Sequence, residues 1–384
     1  MKNILCLNKI AKIGTDKLDK NEYNVGTEVQ NPDAIMVRSA AMHDMEFGPE
    51  LQAIARAGAG VNNIPVDRCS KEGIVVFNTP GANANGVKEL AICALMLASR
   101  DVVGGIKWAE TLTEDVAKSV EKGKSQFAGI EIAGKTLGVI GLGAIGGLVA
   151  NAAVALGMNV VGCDPFLSVD AAWNIDHNVV KAATFEDVFK VADYVTLHVP
   201  STPDTKNMIN ANSLSMMKDG VRIINLARAD LVNAADLKVA IETGRVASYV
   251  TDFPTEAVIG VKGVVAIPHL GASTAESEDN CAVMAALELD DFLRNGNIKN
   301  SVNFPNVSMA RSGNARVCVF HANVPAMISA VTGAISAAGV NIENMINKSK
   351  GDNAYTMVDV TGTVPADLPE KLMAVEGIAK VRVI

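Results

Sequence analysis

The chain has no run of basic residues and no long apolar stretch. Its formal net charge is −8, so it repels nucleic acid and anionic lipid at long range, and neither is an expected partner. No segment approaches the ~20 consecutive apolar residues that a membrane span needs. The first residues, Met1 to Gly14, lack the apolar core and small-residue cleavage site of a secretory leader. The six cysteines, at positions 6, 69, 93, 163, 281 and 318, form no C-x-x-C pair and have no histidine at metal-ligand spacing. They read as reduced thiols of a cytoplasmic protein, and no metal site is expected. Any anionic ligand must therefore be held by local Arg or Lys side chains or by helix N-termini.

What is present is apolar and rich in glycine. Of 384 residues, 49% are hydrophobic and 20% charged, which supplies large cores. At about 150 residues per domain the length fits two or three domains. The 32 glycines cluster beside short apolar runs, as tight strand-to-helix turns require.

Strand-like runs occupy Asp33–Arg38, Leu51–Arg56 and Gly73–Asn78, the last closed by the turn signal Thr79-Pro80-Gly81. Val87–Ser99 is helical in period and almost wholly apolar, which predicts a helix buried between layers. Lys107–Lys135 is polar and charged. Strands then recur at Leu137–Ile140, Met158–Cys163, Tyr194–Val199, Val221–Asn225 and Val264–Ile267, with helical stretches between them. Such alternation predicts a parallel sheet covered on both faces.

Glu276–Arg294 reads as a long helix, and Asn303-Phe304-Pro305-Asn306 breaks the pattern. A final unit follows: strand Val317–Phe320, helix Pro325–Ala338 with Gly339 past its end, a strand opening at Val340, strand Tyr355–Val360, helix Leu368–Val375 and strand Lys380–Ile384. That order, βαββαβ, is the ferredoxin-like arrangement.

Gly141-Leu142-Gly143-Ala144-Ile145-Gly146 is a G-x-G-x-x-G turn. Alone the pattern is weak; here it directly follows a strand, opens an apolar helix, and precedes a second strand that ends in Asp164. Gly141 permits the tight turn, Gly143 lets the backbone approach a pyrophosphate, and Gly146 lets helix and strand pack closely. The helix N-terminus offers free N–H groups to phosphate. Asp164 can accept from both ribose hydroxyls and would repel a 2′-phosphate, and Pro165-Phe166 supplies no Arg to bind one. NAD is therefore expected over NADP.

Three polar residues stand just past strand ends, where open α/β sheets bind ligands: Arg228, Glu256 and His269. Hydride removal from a secondary alcohol needs a base for the hydroxyl proton and a cation for a neighbouring carboxylate. Histidine titrates near neutrality and suits the first task, with a carboxylate beside it to stabilise the imidazolium. Arginine matches a carboxylate bidentately. Taken singly, each is an ordinary loop residue; the meaning lies in their occurrence together, after the fingerprint.

These pieces resemble the D-2-hydroxyacid dehydrogenases. The shared segments are Ala55–Ile64, Val76–Gly81, Gly141–Gly146, Asn225–Arg228, Asp252 with Pro254-Thr255-Glu256, and Pro268–Thr274. The resemblance implies three parts: a flavodoxin-like, doubly wound substrate domain (residues 1–97 and 287–308), a Rossmann NAD domain (98–286), and a C-terminal unit (312–384) that resembles an ACT domain. It implies Arg228, Glu256 and His269 as catalytic residues. Gly141, Gly143, Ala144, Ile145, Gly146, Asp164, His198, Val199, Pro200, Ala227, Asp252 and Gly271 would hold NAD. Arg38, Ser39, Ala59 and Gly60 would meet the substrate together with Arg228. Hinge motion is expected near 97–105 and 280–290, and assembly into homodimers or homotetramers. The chain departs from the family pattern by a shorter Asp252-to-Glu256 spacing, by Ala257 where Pro is common, and by Lys88 in Val87-Lys88-Glu89.

Arg38 matches the family's phosphate-side arginine, with Arg56, Lys122 and Lys124 as further cations, so the implied reaction is NAD-dependent oxidation of 3-phospho-D-glycerate, the opening of L-serine synthesis. The C-terminal resemblance implies L-serine as an effector at His321, Asn323 and Asn341, with Ala326 standing where Gly is usual. The alternatives are a hydroxypyruvate or glyoxylate reductase and a scaffold that senses NAD(H) without turnover.

Overall fold

The computed structural model describes residues 1–384. Its strands sort into three sheets, and its contacts into two units: Asn83–Ser277, and Met1–Ala82 together with Glu278–Ile384. No helix is long and apolar enough to cross a membrane.

In the second of these units, β1 (Lys2–Cys6), β2 (Tyr23–Gly26), β3 (Ala34–Val37), β4 (Ala53–Arg56) and β5 (Val75–Phe77) form a parallel sheet in the order β2-β1-β3-β4-β5. This is the flavodoxin order, whose ligands bind beyond the carboxyl ends near the β1/β3 switch point. All four residues of β3 are buried, as a strand covered on both faces requires. The sequence reading did not single out β1 and β2. β2 is a polar edge strand, Tyr-Asn-Val-Gly, with one buried residue, and it carries almost no pattern.

Residues 83–277 form the second sheet: β6 (Thr136–Ile140), β7 (Asn159–Cys163), β8 (Val180–Lys181), β9 (Tyr194–Leu197), β10 (Val221–Asn225), β11 (Val246–Thr251) and β12 (Val264–Ala266). All pairs are parallel, in the order β12-β11-β10-β9-β6-β7-β8. The order reverses between β6 and β9, the Rossmann switch point. The helix Ala84–Ser99 buries Val87, Ala91, Ala94, Leu95 and Ala98 against Val149, Ala150 and Ala153 of the helix Ala144–Ala155 and against Ile224 and Val250 of the sheet. Alanines at these crossings let the backbones approach closely, which explains the near absence of polar residues that marked this helix in the sequence.

After the long helix Ala275–Asn295, the chain builds β13 (Ala315–Ala322), helix Met327–Ala337, β14 (Asn341–Lys350), β15 (Asn353–Thr361), helix Leu368–Met373 and β16 (Ile378–Val383). The antiparallel order is β14-β15-β13-β16, the ferredoxin-like arrangement expected from the sequence. Period-2 alternation divides β13 between two cores. Val317 and Val319 face the two helices with Val331, Ile335, Leu368 and Leu372. Cys318 and Phe320 face the other way and join the core of the first sheet. Phe320 packs tilted against Tyr355 and edge-to-face with Phe304, at centroid distances of 4.5 and 5.1 Å.

Arg316 is fully buried at this seam. Its guanidinium donates to both Asp359 oxygens (2.6 and 2.9 Å), to Asn295 O (2.6 Å) and to Met309 O (2.9 Å). Burial alone would raise the Asp359 carboxyl, but the bonds and charge of Arg316 outweigh it and hold the group below its ordinary range. A buried ion pair persists when its remaining donors are satisfied, as they are here.

Ala326 precedes the helix Met327–Ala337 with φ of 68°, a left-handed conformation that costs a residue with a Cβ about 1–2 kcal/mol. Ala326→Gly removes that cost while adding freedom to the unfolded chain. The expected result is a gain of about 1 kcal/mol in stability, read as a rise in melting temperature; an unchanged or lower melting temperature contradicts it.

Candidate active site

The turn after β6 is shaped by its glycines. A Cβ at Gly146 would lie 1.9 Å from the Gly141 carbonyl oxygen, and one at Gly141 2.6 Å from the His198 carbonyl oxygen. At Gly143 a Cβ would meet nothing within 4 Å, so the fold's own packing does not require glycine there. The helix Ala144–Ala155 begins without a side-chain cap, and the N–H groups of Gly143 to Gly146 find no protein acceptor. That is an open donor set at the positive end of a helix.

Asp164 stands at the end of β7 beside this turn. Its Oδ2 accepts from Leu142 N–H at 2.9 Å and its Oδ1 from Phe166 N–H at 2.9 Å. A carboxylate has about four lone-pair sites, so acceptor capacity remains for a diol. His198, Val199 and Pro200 follow β9. The His198 ring sits 2.9 Å from Thr196 Oγ1, and burial pushes its pKa down to about 4, so it is neutral at physiological pH.

The register pairs Asn225 with Thr251 and Thr251 with Ala266, which sets the ends of β10, β11 and β12 side by side. Past these ends lie Arg228, Asp252 and His269. Buried Asn225 shapes the first turn: its Oδ1 accepts from Ala227 and Arg228 N–H (3.2 and 3.3 Å), and its Nδ2 donates to Arg228 O (2.8 Å). The exposed Arg228 guanidinium bonds Ala227 O and lies 5.6 Å from the Phe253 ring centre, within cation–π range. The same Phe253 ring is 4.4 Å from the His269 ring. Phe253 therefore neighbours both the guanidinium and the imidazole, a contact that sequence reading missed.

Asp252 is 1% exposed. Its Oδ2 accepts from Gly271 N–H at 3.3 Å, while its Oδ1 is buried without a partner. Burial raises its carboxyl, and the charges of His269 and Arg228 pull partly against that rise. Glu256 is exposed in the turn after β11; no hydrogen bond or ion pair joins it to His269. The structure thus brings Arg228, Asp252 and His269 around Phe253 and leaves Glu256 apart.

The substrate-side candidates belong to the other unit. Asn8 Oδ1, after β1, accepts from Arg38, Ser39 and Ala40 N–H at 3.2, 3.0 and 3.0 Å. It fixes the turn after β3 and was also missed, because nothing local marks a single Asn as a long-range clamp. The Arg38 guanidinium pairs with Glu278 at 2.6 Å, both half-exposed. After β4, the N–H groups of Ala59 and Gly60 donate to no protein group. Arg56 Nε donates to Arg38 O at 3.1 Å, and Lys124 pairs with Glu121 on the surface.

In the C-terminal unit, His321 is buried, with ring nitrogens 2.7 Å from Ala322 O and 2.9 Å from Thr356 Oγ1. Asn323 donates to Gly351 O. His321 is registered with Ala354, and Asn341 with Thr361, at opposite ends of β15, so one chain does not gather the three effector candidates. No group of three or more His, Cys, Asp or Glu side chains assembles as a metal site.

The first three features fit a dinucleotide: an open N–H set, a carboxylate tied to the glycine turn, and an orphaned oxygen at Asp252. Comparisons agree. Residues 95–271 match the family described as D-isomer specific 2-hydroxyacid dehydrogenase, NAD binding domain. The chain is similar to D-3-phosphoglycerate dehydrogenase of Synechocystis sp., 35% identical over 330 residues that cover 80% of this chain and 57% of that protein. It is 36% identical over 293 residues to the Archaeoglobus fulgidus protein of the same name, covering 73% and 53%. The chain spans about half the length of these curated relatives. Among solved structures it resembles NAD+-bound 3-phosphoglycerate dehydrogenase of Entamoeba histolytica, with a TM-score of 0.62, 27% identity, and coverage of 79% of this chain and 98% of that one.

Two alanine substitutions separate packing from ligand binding. Gly143→Ala is expected to melt as the wild type does yet to lose at least about tenfold in NADH affinity, since its methyl enters open space that a dinucleotide pyrophosphate would occupy. Gly146→Ala, which drives Cβ into a backbone carbonyl, is expected to lower the melting temperature as well. Thermal melts and NADH fluorescence titration check both; wild-type NADH affinity in Gly143→Ala contradicts the assignment.

Proposed function

From the premise that this chain is a homologue of the D-3-phosphoglycerate dehydrogenases, with the NAD-binding domain of the D-isomer specific 2-hydroxyacid dehydrogenases at residues 95–271, we propose that it oxidises 3-phospho-D-glycerate to 3-phosphohydroxypyruvate. This would be the first step of L-serine biosynthesis. The observation that carries the reading is the Arg228–Phe253–His269 arrangement on adjacent strand ends, in the same unit as the glycine turn.

When bound, NAD supplies the hydride acceptor. Its pyrophosphate would lie on the free N–H groups of Gly143, Ala144, Ile145 and Gly146, and its ribose on Asp164, with His198, Val199, Pro200, Ala227 and Gly271 lining the site. The unpartnered Asp252 oxygen would accept from the nicotinamide end. His269 takes the proton from the substrate hydroxyl as the carbonyl forms. Arg228 is assigned to the substrate carboxylate, and in the other unit the unpaired N–H groups of Ala59 and Gly60 are assigned to the substrate as well. Glu256 is assigned as the carboxylate that stabilises the imidazolium. Catalytic hydrogen bonds often tighten only when substrate binds, and nothing in the structure pairs with Glu256 to oppose that.

Arg38 and Ser39 are assigned to the substrate phosphate. The Arg38–Glu278 pair is half-exposed, and such pairs are worth about 0–1 kcal/mol, so a dianion can displace the carboxylate. We further propose a cytoplasmic homodimer or homotetramer. Six free cysteines and the exposed apolar Val102, Ile106 and Val116 support that reading. The C-terminal unit is assigned a regulatory role with L-serine as its effector.

The test is NADH consumption with 3-phosphohydroxypyruvate against unphosphorylated hydroxypyruvate, each with and without L-serine. The expected result is a strong preference for the phosphorylated ketone, suppressed by serine. Equal use of both ketones overturns the phosphate assignment and makes the chain a general hydroxyacid reductase. Tight NADH binding without turnover makes it a nucleotide-sensing scaffold. Preference without serine sensitivity reassigns the C-terminal unit to assembly.

A further inference from the structure

Glu288 lies in the long helix Ala275–Asn295, 7% exposed, with no role in the chemistry above. Its Oε2 is buried without a partner, and its Oε1 accepts from Asn300 Nδ2 at 2.7 Å. Burial pushes its carboxyl up to about 8, against smaller opposing effects from Asn300 and Lys299, so the resident form at neutral pH is the uncharged acid.

Asn300 has φ of 58°, a left-handed conformation that Asn adopts when its short polar side chain finds a bond. The bond to Glu288 provides it. In that conformation the Asn300 carbonyl accepts from Asn78 N–H at 3.3 Å, next to the bridge between Phe77 and Ser301. Asn78 Nδ2 then donates to Ala59 O at 2.6 Å, and Thr79 N–H to Gly58 O at 3.1 Å. The relay ends on the loop whose Ala59 and Gly60 N–H groups are unpaired.

We propose that Glu288 is a positioning residue that, through Asn300 and Asn78, holds the Ala59–Gly60 backbone in the orientation that receives the substrate carboxylate. The proposal rests on the assignment of that loop to substrate in the preceding section. It explains why an acid is buried without an ion-pair partner: Asn300 needs an acceptor there, and a protonated carboxyl supplies one without a buried charge. Glutamine supplies the same acceptor. NADH affinity should not depend on Glu288, because the glycine turn and Asp164 lie in the other unit.

The experiment compares the full-length NADH-bound wild type with Glu288→Gln, Glu288→Ala and Asn300→Gly. The last keeps the left-handed conformation accessible and removes only the side-chain link. Losing one such hydrogen bond corresponds to about tenfold. Glu288→Ala and Asn300→Gly should therefore raise KM for 3-phosphohydroxypyruvate about tenfold, with KM for NADH unchanged, and Glu288→Gln should match the wild type. Hydrogen exchange at the Asn78 and Thr79 amides should speed up in the same two variants and not in Glu288→Gln. Wild-type KM and exchange in Asn300→Gly overturn the proposal, as does Glu288→Gln behaving like Glu288→Ala. If the wild type itself does not reduce the phosphorylated ketone, the functional reading fails, and amide exchange alone still decides the tether.

Discussion

The hydrogen bond from Leu142 N–H to the Asp164 carboxylate, at 2.9 Å, ties the turn after β6 to the end of β7. The turn must bend back so tightly that Gly141 takes φ of 87° and Gly146 leaves no room for a Cβ. Once it does, the helix Ala144–Ala155 presents unpaired N–H groups beyond the carboxyl edge of the sheet, with a carboxylate beside them. The groups proposed for phosphate and ribose are thereby fixed before any ligand arrives, which is the physical content of preorganisation. In that assignment the same carboxylate would disfavour a second phosphate on the ribose.

The chemistry follows from strand order. Parallel strands deliver their carboxyl ends to one edge, so turns far apart in sequence, after β10, β11 and β12, become neighbours. Asn225 locks the first turn, Asp252 and Gly271 join the second and third, and Phe253 neighbours both Arg228 and His269. Burial raises the carboxyl of Asp252, partly against the pull of Arg228 and His269. The neutral His198 adds no competing charge near the glycine turn.

Much of this was legible in the residues themselves. The glycine turn, Asp164, the apolar helix before it and the terminal βαββαβ unit all declare themselves by local spacing, because their function is met by neighbours in sequence. What was not legible depends on distant partners. β8 is a pair of exposed residues, Val180 and Lys181, with no burial pattern to read. β11 contains Ala-Ser-Tyr within Val246–Thr251 and lacks a clean apolar run. Asn8, the Arg38–Glu278 pair and buried Glu288 acquire meaning only when the chain folds back on itself. Glu256 matches the motif yet stands exposed and apart from His269, in a turn whose spacing departs from the family's.

We propose that the edge formed by β10, β11 and β12 carries out proton transfer while the glycine turn holds the nucleotide. Single-turnover oxidation of bound NADH by 3-phosphohydroxypyruvate in His269→Ala tests it most directly. NADH binding is expected to equal that of the wild type and the rate to be lower by about 10²–10⁴-fold, the usual worth of a general acid–base group. A wild-type rate in that variant would contradict it.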